Sequence, residues 1–373
     1  MILTRSGLVL GGLFLVLAGF VAAGPQAGLL IAIGLGFGLV LEGLRLGFSG
    51  PWRQIWFERD GRGFLAQVLA VGITAAVALP LLAAAPEELS GAHAPVGLAM
   101  IVAAFVFGIA MQIVFGCGSG TLVNAGSGNA IGALALVGFI AGSFFGTLHL
   151  GWWTSLGSLP VLTLQGMFGD NGGLVLTLAG LAALAGLIWW RAEPGKRMPP
   201  ARLWIAAGLV AALALANLVI AGQPWGIVYG LGLWGAKIAQ AGGADVAANA
   251  FWANPAHAER LTASVLTDIT TLTNIGLLFG AFMAMRWRRS PDAQVVRLKP
   301  QGWVCVLMAG LVLGYSARVA FGCNVGAFFS GVSTGSLHGW VWLAAAFAGS
   351  IIGVRLRPVL LPAAEPRGRE VAA

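Results

Sequence analysis

The chain reads as a series of long apolar runs separated by short polar loops. Runs of helix length lie at about 7–23, 27–44, 64–84, 96–114, 130–150, 172–190, 204–221, 225–240, 261–285 and 301–320. Crossing a hydrocarbon core of about 30 Å takes roughly 20 apolar residues in a helix, and most of these runs are close to that length. The repeated ten-residue alternation of a membrane β-barrel does not occur. The pattern predicts an all-α, polytopic membrane protein. Residues 8–23 have the look of a signal-peptide core, but no soluble mature domain follows, so they are read as a membrane helix.

Composition strengthens this reading. Hydrophobic residues make up 58% of the chain and charged residues 9%, with a mean hydropathy of +0.88. The net charge of +8 does not indicate nucleic acid, because the basic residues sit in short clusters between apolar runs. The clusters are Arg45, Arg53, Arg59 and Arg62; Arg191, Lys196, Arg197 and Arg202; and Arg286, Arg288, Arg289, Arg297 and Lys299. Basic loops favour the cytoplasm, whereas the loop with Pro86, Glu87, Glu88, His93 and Pro95 carries no Lys or Arg and is assigned outside. Three cysteines without a Cys-x-x-Cys or Cys/His cluster argue against a disulfide scaffold or a metal site. No cofactor is implied, and the lack of a P-loop disfavours ATP-driven transport by this chain alone.

An internal repeat organises the rest. Phe115-Gly116-Cys117-Gly118-Ser119-Gly120 recurs 206 positions later as Phe321-Gly322-Cys323-Asn324-Val325-Gly326. Gly108 then matches Gly314 and Ser127 matches Ser333; after a one-residue insertion, Gly128, Gly132 and Gly142 match Gly335, Gly339 and Gly349. Glycine at this density is poor transmembrane helix. Broken backbone at membrane depth survives only where it is buried in protein or lines a cavity, so a break is expected over 115–129. Charge bias brings the first unit in from outside and the second from the cytoplasm. The expectation is therefore an inverted repeat of two halves, 1–190 and 204–360, with broken or re-entrant helices meeting near the midplane. A basic cytoplasmic linker (191–203) joins the halves and a tail (361–373) follows; 222–260 does not resolve into whole crossings and is read as re-entrant.

The chemistry expected at the breaks is anion binding. Gly116, Gly118, Gly120, Gly322 and Gly326 bare the backbone amides and positive dipole ends that attract anions, and Asn124, Ser127, Asn129, Asn324 and Ser333 add side-chain donors. Cys117 and Cys323 supply polarizable sulfur; Cys305, whose repeat partner is Ala99, is read as packing. Small residues also serve merely to let helices approach, but duplication of the whole block favours a site. Arg318, whose repeat partner is Gln112, and Lys237 are the candidate cations; snorkelling is the competing role for Lys237. Glu42 and Asp268 are expected in ion pairs, His149 and His338 at the interfaces.

The stretches F-G-C-G-S-G-T-L-V-N-A-G-S-G-N and F-G-C-N-V-G-A-F-F-S-G, together with the two-half layout, resemble the YeeE/YedE family of sulfur-compound transporters. The resemblance implies import of thiosulfate across the bacterial inner membrane and delivery to a TusA-like sulfur carrier protein or to cysteine synthesis. It also implies an inverted-repeat bundle pinched in the middle, with Cys117 and Cys323 relaying substrate by S–H to sulfur contacts. The family's third cysteine lies in R-x-G-F-C, here Arg45-Leu46-Gly47-Phe48-Ser49, so Ser49 replaces a thiol. Other readings are a membrane sulfurtransferase or redox subunit carrying a cysteine persulfide, a transporter for a selenium compound or another sulfur species, and a passive channel.

Overall fold

The computed structural model describes residues 5–288 and 298–361; Arg289 and Arg297 of the third basic cluster, and the expected tail after Leu361, lie outside them. The helices are α1 (Arg5–Gly43), α2 (Gly50–Arg53), α3 (Arg62–Ala84), α4 (Leu98–Ile113), α5 (Gly118–Gly126), α6 (Ala130–Thr154), α7 (Leu164–Arg191) and α8 (Ala201–Ala221). They continue as α9 (Val228–Ala241), α10 (Ala250–Ala253), α11 (Pro255–Thr262), α12 (Ile269–Arg288), α13 (Pro300–Val319), α14 (Gly331–Ser333) and α15 (Leu337–Leu360). Among the described residues nine helical stretches are long and apolar enough to cross a membrane. The protein is a multi-pass, all-α membrane protein.

Several boundaries move for local reasons. The predicted gap between the first two runs is a kink inside α1, where Gly24 takes φ 86° and Pro25 restarts the helix. α7 starts at Leu164, capped by the Thr163 side chain, and bends at Gly169. The run predicted at 261–285 begins at Ile269, because Asn254 and Pro255 start the separate helix α11 and Ser264 caps a further turn. α9 has 14 residues, about 21 Å at 1.5 Å per residue, too short for a full crossing. A two-stranded ribbon, β1 (Pro95–Gly97) with β2 (Ser158–Val161), was not anticipated.

Loop contacts sort the helix ends into two faces. At one, the backbone of Gly61 donates to Lys196, that of Glu193 donates to Arg59, and Arg202 reaches the Leu44 carbonyl; Arg288 at the end of α12 pairs with Glu42. At the other, Ser90 bonds Gly222, Ala92 bonds Thr334, Leu337 bonds Leu162, and β1 pairs with β2. Large apolar side chains such as Phe14, Val21, Trp190 and Val359 stay exposed around the bundle, as lipid-facing surface requires.

The two repeat units exchange partners. α4 of the first packs along α15 of the second, and α6 of the first along α13 of the second. Equivalent glycines make equivalent contacts: a methyl group added at Gly108 would strike the Ala346 carbonyl, and one at Gly314 the Phe139 carbonyl. Gly142 meets Leu311 as Gly349 meets Phe105. Bare backbone against backbone is how membrane helices pack without a hydrophobic driving force between them.

Candidate functional site

Both breaks are built alike. Phe115 and Phe321 adopt left-handed φ of 59° and 58°, a conformation costing a bulky residue about 1 kcal/mol or more. The next amides reach back, Gly116 to the Met111 carbonyl (3.1 Å) and Gly322 to that of Ala317 (2.9 Å). Cys117 and Cys323 are then extended and cap the following helices, their carbonyls accepting from Thr121 and Ala327, each at 2.8 Å. The break is shorter than the expected 115–129: α5 starts at Gly118. Its glycines serve close approach at the first turn, since a Cβ on Gly118 would stand 2.9 Å from Cys323 Sγ.

The inserted residue lies earlier than the sequence alignment put it. The Ser127 amide bonds Val123 as that of Thr334 bonds Ser330, so Thr334, not Ser333, is the counterpart of Ser127. The extra residue is absorbed in the π-helical turn Asn324–Ser330, where one added residue widens the turn without ending the helix.

Cys117 and Cys323 are free thiols with no solvent exposure. Cys117 Sγ lies 3.3 Å from Ser119 Oγ. Next to Cys323, the Asn324 side chain is fully buried and both its polar atoms are unpartnered. Asn324 occupies the repeat position of Gly118, the residue that faces the opposite thiol.

A cavity approaches the thiols from each face. The first, of about 590 Å³, is rimmed by Arg45, Arg62 and Arg202 and reaches Ser49, Phe115, Ser119, Gly120 and Asn124. Ser49 Oγ and Asn124 Nδ2 both donate to the Phe115 carbonyl (3.4 and 3.3 Å), and Gln112 Nε2 holds the Ser49 carbonyl at 2.9 Å. At its rim the Arg62 hydrogen bonds hold the Asp60 carboxyl below its usual pKa. The second, of about 480 Å³, reaches Arg318, Phe321, Gly322 and Gly326 beneath Tyr229, Phe251 and His257. Burial, then the guanidiniums of Arg318 and Arg260, hold His257 below its ordinary pKa. Phe48 lines the first cavity and Trp225 the second; their rings meet edge-on at 6.4 Å.

Of the predicted site residues, Cys117, Cys323, Gly116, Gly118, Gly120, Gly322, Asn324 and Gly326 gather at the breaks, with Ser49, Asn124 and Arg318 on the cavity walls. Three do not. Lys237 Nζ donates to the carbonyls of Leu261 and Ala263 (2.8 and 2.6 Å), closing the end of α11. Ser127 and Ser333 bond local carbonyls of their own turns and line neither cavity. Asn129 is spent as the N-cap of α6. Glu42 and Asp268 form the expected ion pairs, with Arg288 and Arg260. His338, expected at an interface, is buried, lines the second cavity and bonds Ser336 at 2.6 Å. Sequence reasoning missed Tyr229, Trp225 and Gln112, and Arg357, whose guanidinium stacks 4.4 Å from the Phe115 ring. Only Gln112 carried a signal, as the repeat partner of Arg318.

A family model described as sulphur transport matches residues 45–352, which takes in both breaks, both thiols and Ser49. The chain belongs to the sulphur transport family. Two relatives, each named probable transporter YedE, are 31% identical to it: over 175 residues for that of Salmonella typhimurium (strain LT2) and 166 for that of Escherichia coli (strain K12). These alignments cover 45% and 42% of this chain and 39% and 37% of the relatives, so the chain spans less than two-fifths of the length of either. The thiosulfate transporter TsuA of Spirochaeta thermophila is 24% identical over 326 residues, 83% of this chain and 93% of that protein. The sulphur transport family and these relatives are transporters by name, not enzymes.

Proposed function

We propose that this protein is a bacterial inner-membrane transporter that imports thiosulfate, or a closely related inorganic sulfur anion, between Cys117 and Cys323. The observation that carries the reading is the pair of buried thiols, with one cavity reaching the residues beside Cys117 and another those beside Cys323. The halves form an inverted repeat in this reading, supported by the exchanged partners of α4 and α6 and by the two faces on which the units begin and end. The basic face, with Arg45, Arg62 and Arg202, is cytoplasmic.

The chemistry follows from the atoms present. A thiol touches a soft sulfur terminus weakly and releases it, and weak multi-site contact is what passage needs. Amides at the N-termini of α5 and of the Asn324–Ser330 turn favour the negative charge. The unpartnered Asn324 amide offers donors that a passing oxyanion would satisfy. On the cytoplasmic side, Ser49 offers a hydroxyl where the family has a thiol. Inward movement of a dianion works against the membrane potential at about 2.3 kcal/mol per charge per 100 mV. Consumption downstream, for instance by a TusA-like carrier protein, supplies the pull.

Uptake of labelled thiosulfate into cells expressing wild type, Cys117→Ala or Cys323→Ala tests the reading. Uptake should fall at least tenfold in each variant at equal membrane abundance. Wild-type rates in both would refute a path between the thiols.

A further inference from the structure

His338 is a buried imidazole to which the transport reading gives no task. With Thr334 the counterpart of Ser127, His338 takes the repeat position of Ile131. Both side chains are buried, Ile131 at 3% exposure and His338 at 1%, each in the first turn after an N-cap, Asn129 or Ser336. A titratable ring thus occupies, in one unit only, a place that apolar packing fills in the other. The second unit also makes room for it. Gly331 holds the repeat position of Asn124, and a Cβ there would stand 2.9 Å from Cε1 of the ring.

Half of the ring's bonding capacity is spent. Nδ1 pairs with Ser336 Oγ at 2.6 Å, whereas Nε2 is buried with no partner. The ring lines the second cavity, as do His93 and His257, so three of the chain's four histidines stand around one cavity that no carboxylate lines. The turn Asn324–Ser330 and α14, which pack against the start of α15, and α4 beside them carry no ionisable side chain. His93, on the loop before β1, couples electrostatically to His338, and its own Nε2 donates to the Thr334 carbonyl at 3.1 Å. Arg318 on α13 and Tyr229 on α9 are the remaining ionisable groups of the wall. Among the described residues no carboxylate lies within ion-pair range of Arg318.

An imidazole with one nitrogen free is the side chain whose charge changes most readily near neutral pH. A negative charge beside it favours the protonated ring, and by reciprocity the protonated ring favours the anion. We infer that His338 is a proton-binding site of the outer half, charged from the outer solution while an anion crosses the second cavity and discharged once the anion has gone. No bond to the anion forms. In the charged state Nδ1–H donates to Ser336 Oγ and Nε2–H points a second donor at the passage. This rests on the transport reading, because without an anion in the second cavity nothing there favours the charged ring. The consequence is uptake that depends on outer pH through one residue of the second unit, with no counterpart at Ile131.

Initial uptake of labelled thiosulfate at external pH of about 6 and about 8, on either side of the ordinary imidazole value, tests this in cells expressing wild type, His338→Ile, His338→Gln or His93→Gln at equal membrane abundance. Wild type should be at least about fivefold faster at the lower pH. His338→Ile, which installs the residue of the first unit, and His338→Gln, which cannot titrate, should both give a ratio within about twofold of one. His93→Gln should keep the wild-type ratio. A wild-type rate indifferent to pH, or the wild-type ratio in both His338 variants, overturns the site, as does a ratio lost in His93→Gln and kept in the His338 variants. Should neither His338 variant take up thiosulfate, calorimetry of thiosulfate binding to the purified full-length protein in buffers of different ionisation enthalpy decides. Protons taken up by wild type and not by His338→Gln support the site; equal proton uptake, or none by wild type, overturns it. Failure of the transport path reads differently: Cys117→Ala and Cys323→Ala would then take up thiosulfate at wild-type rates at both pH values.

Discussion

At the floor of the first cavity the Phe115 carbonyl receives the Ser49 hydroxyl and the Asn124 amide, whereas at the floor of the second the corresponding Phe321 turn stands beside the Arg318 guanidinium. The backbone is the same in both: left-handed Phe, bare Gly, extended Cys, short helix. What differs is side-chain chemistry. Arg357 over the Phe115 ring and Arg318 beside Phe321 put a guanidinium at each turn but in different places, so the two floors are asymmetric although their frame is duplicated. Duplication therefore supplies the geometry of the break, and individual substitutions within each copy supply its side-chain chemistry.

The largest expected effect tests the shared frame. Gly142→Leu and Gly349→Leu put a side chain into equivalent backbone crossings, and each should cost about 3 kcal/mol or prevent folding. Thermal unfolding in detergent measures this; a large loss in one and none in the other would break the equivalence of the halves. Asn324→Gly gives the second break the residue of the first. Uptake should drop several-fold while stability holds or rises by about 1 kcal/mol, because a buried amide without partners is removed. A variant that is less stable would mean that the Asn324 side chain serves packing.

Smaller effects sharpen the difference between the floors. Ser49→Cys restores a thiol to the first cavity and should raise thiosulfate uptake by a few-fold; an unchanged rate would show that the hydroxyl suffices there. Asp60→Asn should cost under about 1 kcal/mol, since Arg62 is partly exposed. The native Asp60 carboxyl is held below its usual value, so its contribution is present above about pH 4, the unfolded value. It is lost as pH falls through the lowered native value. Unfolding curves of wild type and Asp60→Asn should converge in acid, and a constant gap would contradict the pairing.

Most of the fold was legible because hydropathy runs are properties of the chain in one dimension. The kink at Gly24-Pro25 and the Phe-Gly-Cys turns were written in residue types that few other conformations tolerate. The register within the second break was not legible, because a π turn is set by what packs against Asn324–Ser330 and leaves no composition of its own. Lys237 and Arg318 looked alike in sequence, each a lone cation beside apolar residues. Lys237 closes a helix end 24 residues away, whereas Arg318 is left facing a cavity.

The sequence alone determined that this chain crosses the membrane many times and carries two copies of one glycine-cysteine break, since apolar length and internal repetition need no neighbours to be read. Only the tertiary structure decided that both thiols are buried, that a cavity reaches residues flanking each of them, that Ser49 sits over the first break, and that Arg318 has no carboxylate partner among the described residues. Those facts depend on which helices meet, and contacts between residues sixty or more positions apart are fixed by packing rather than by local residue preference.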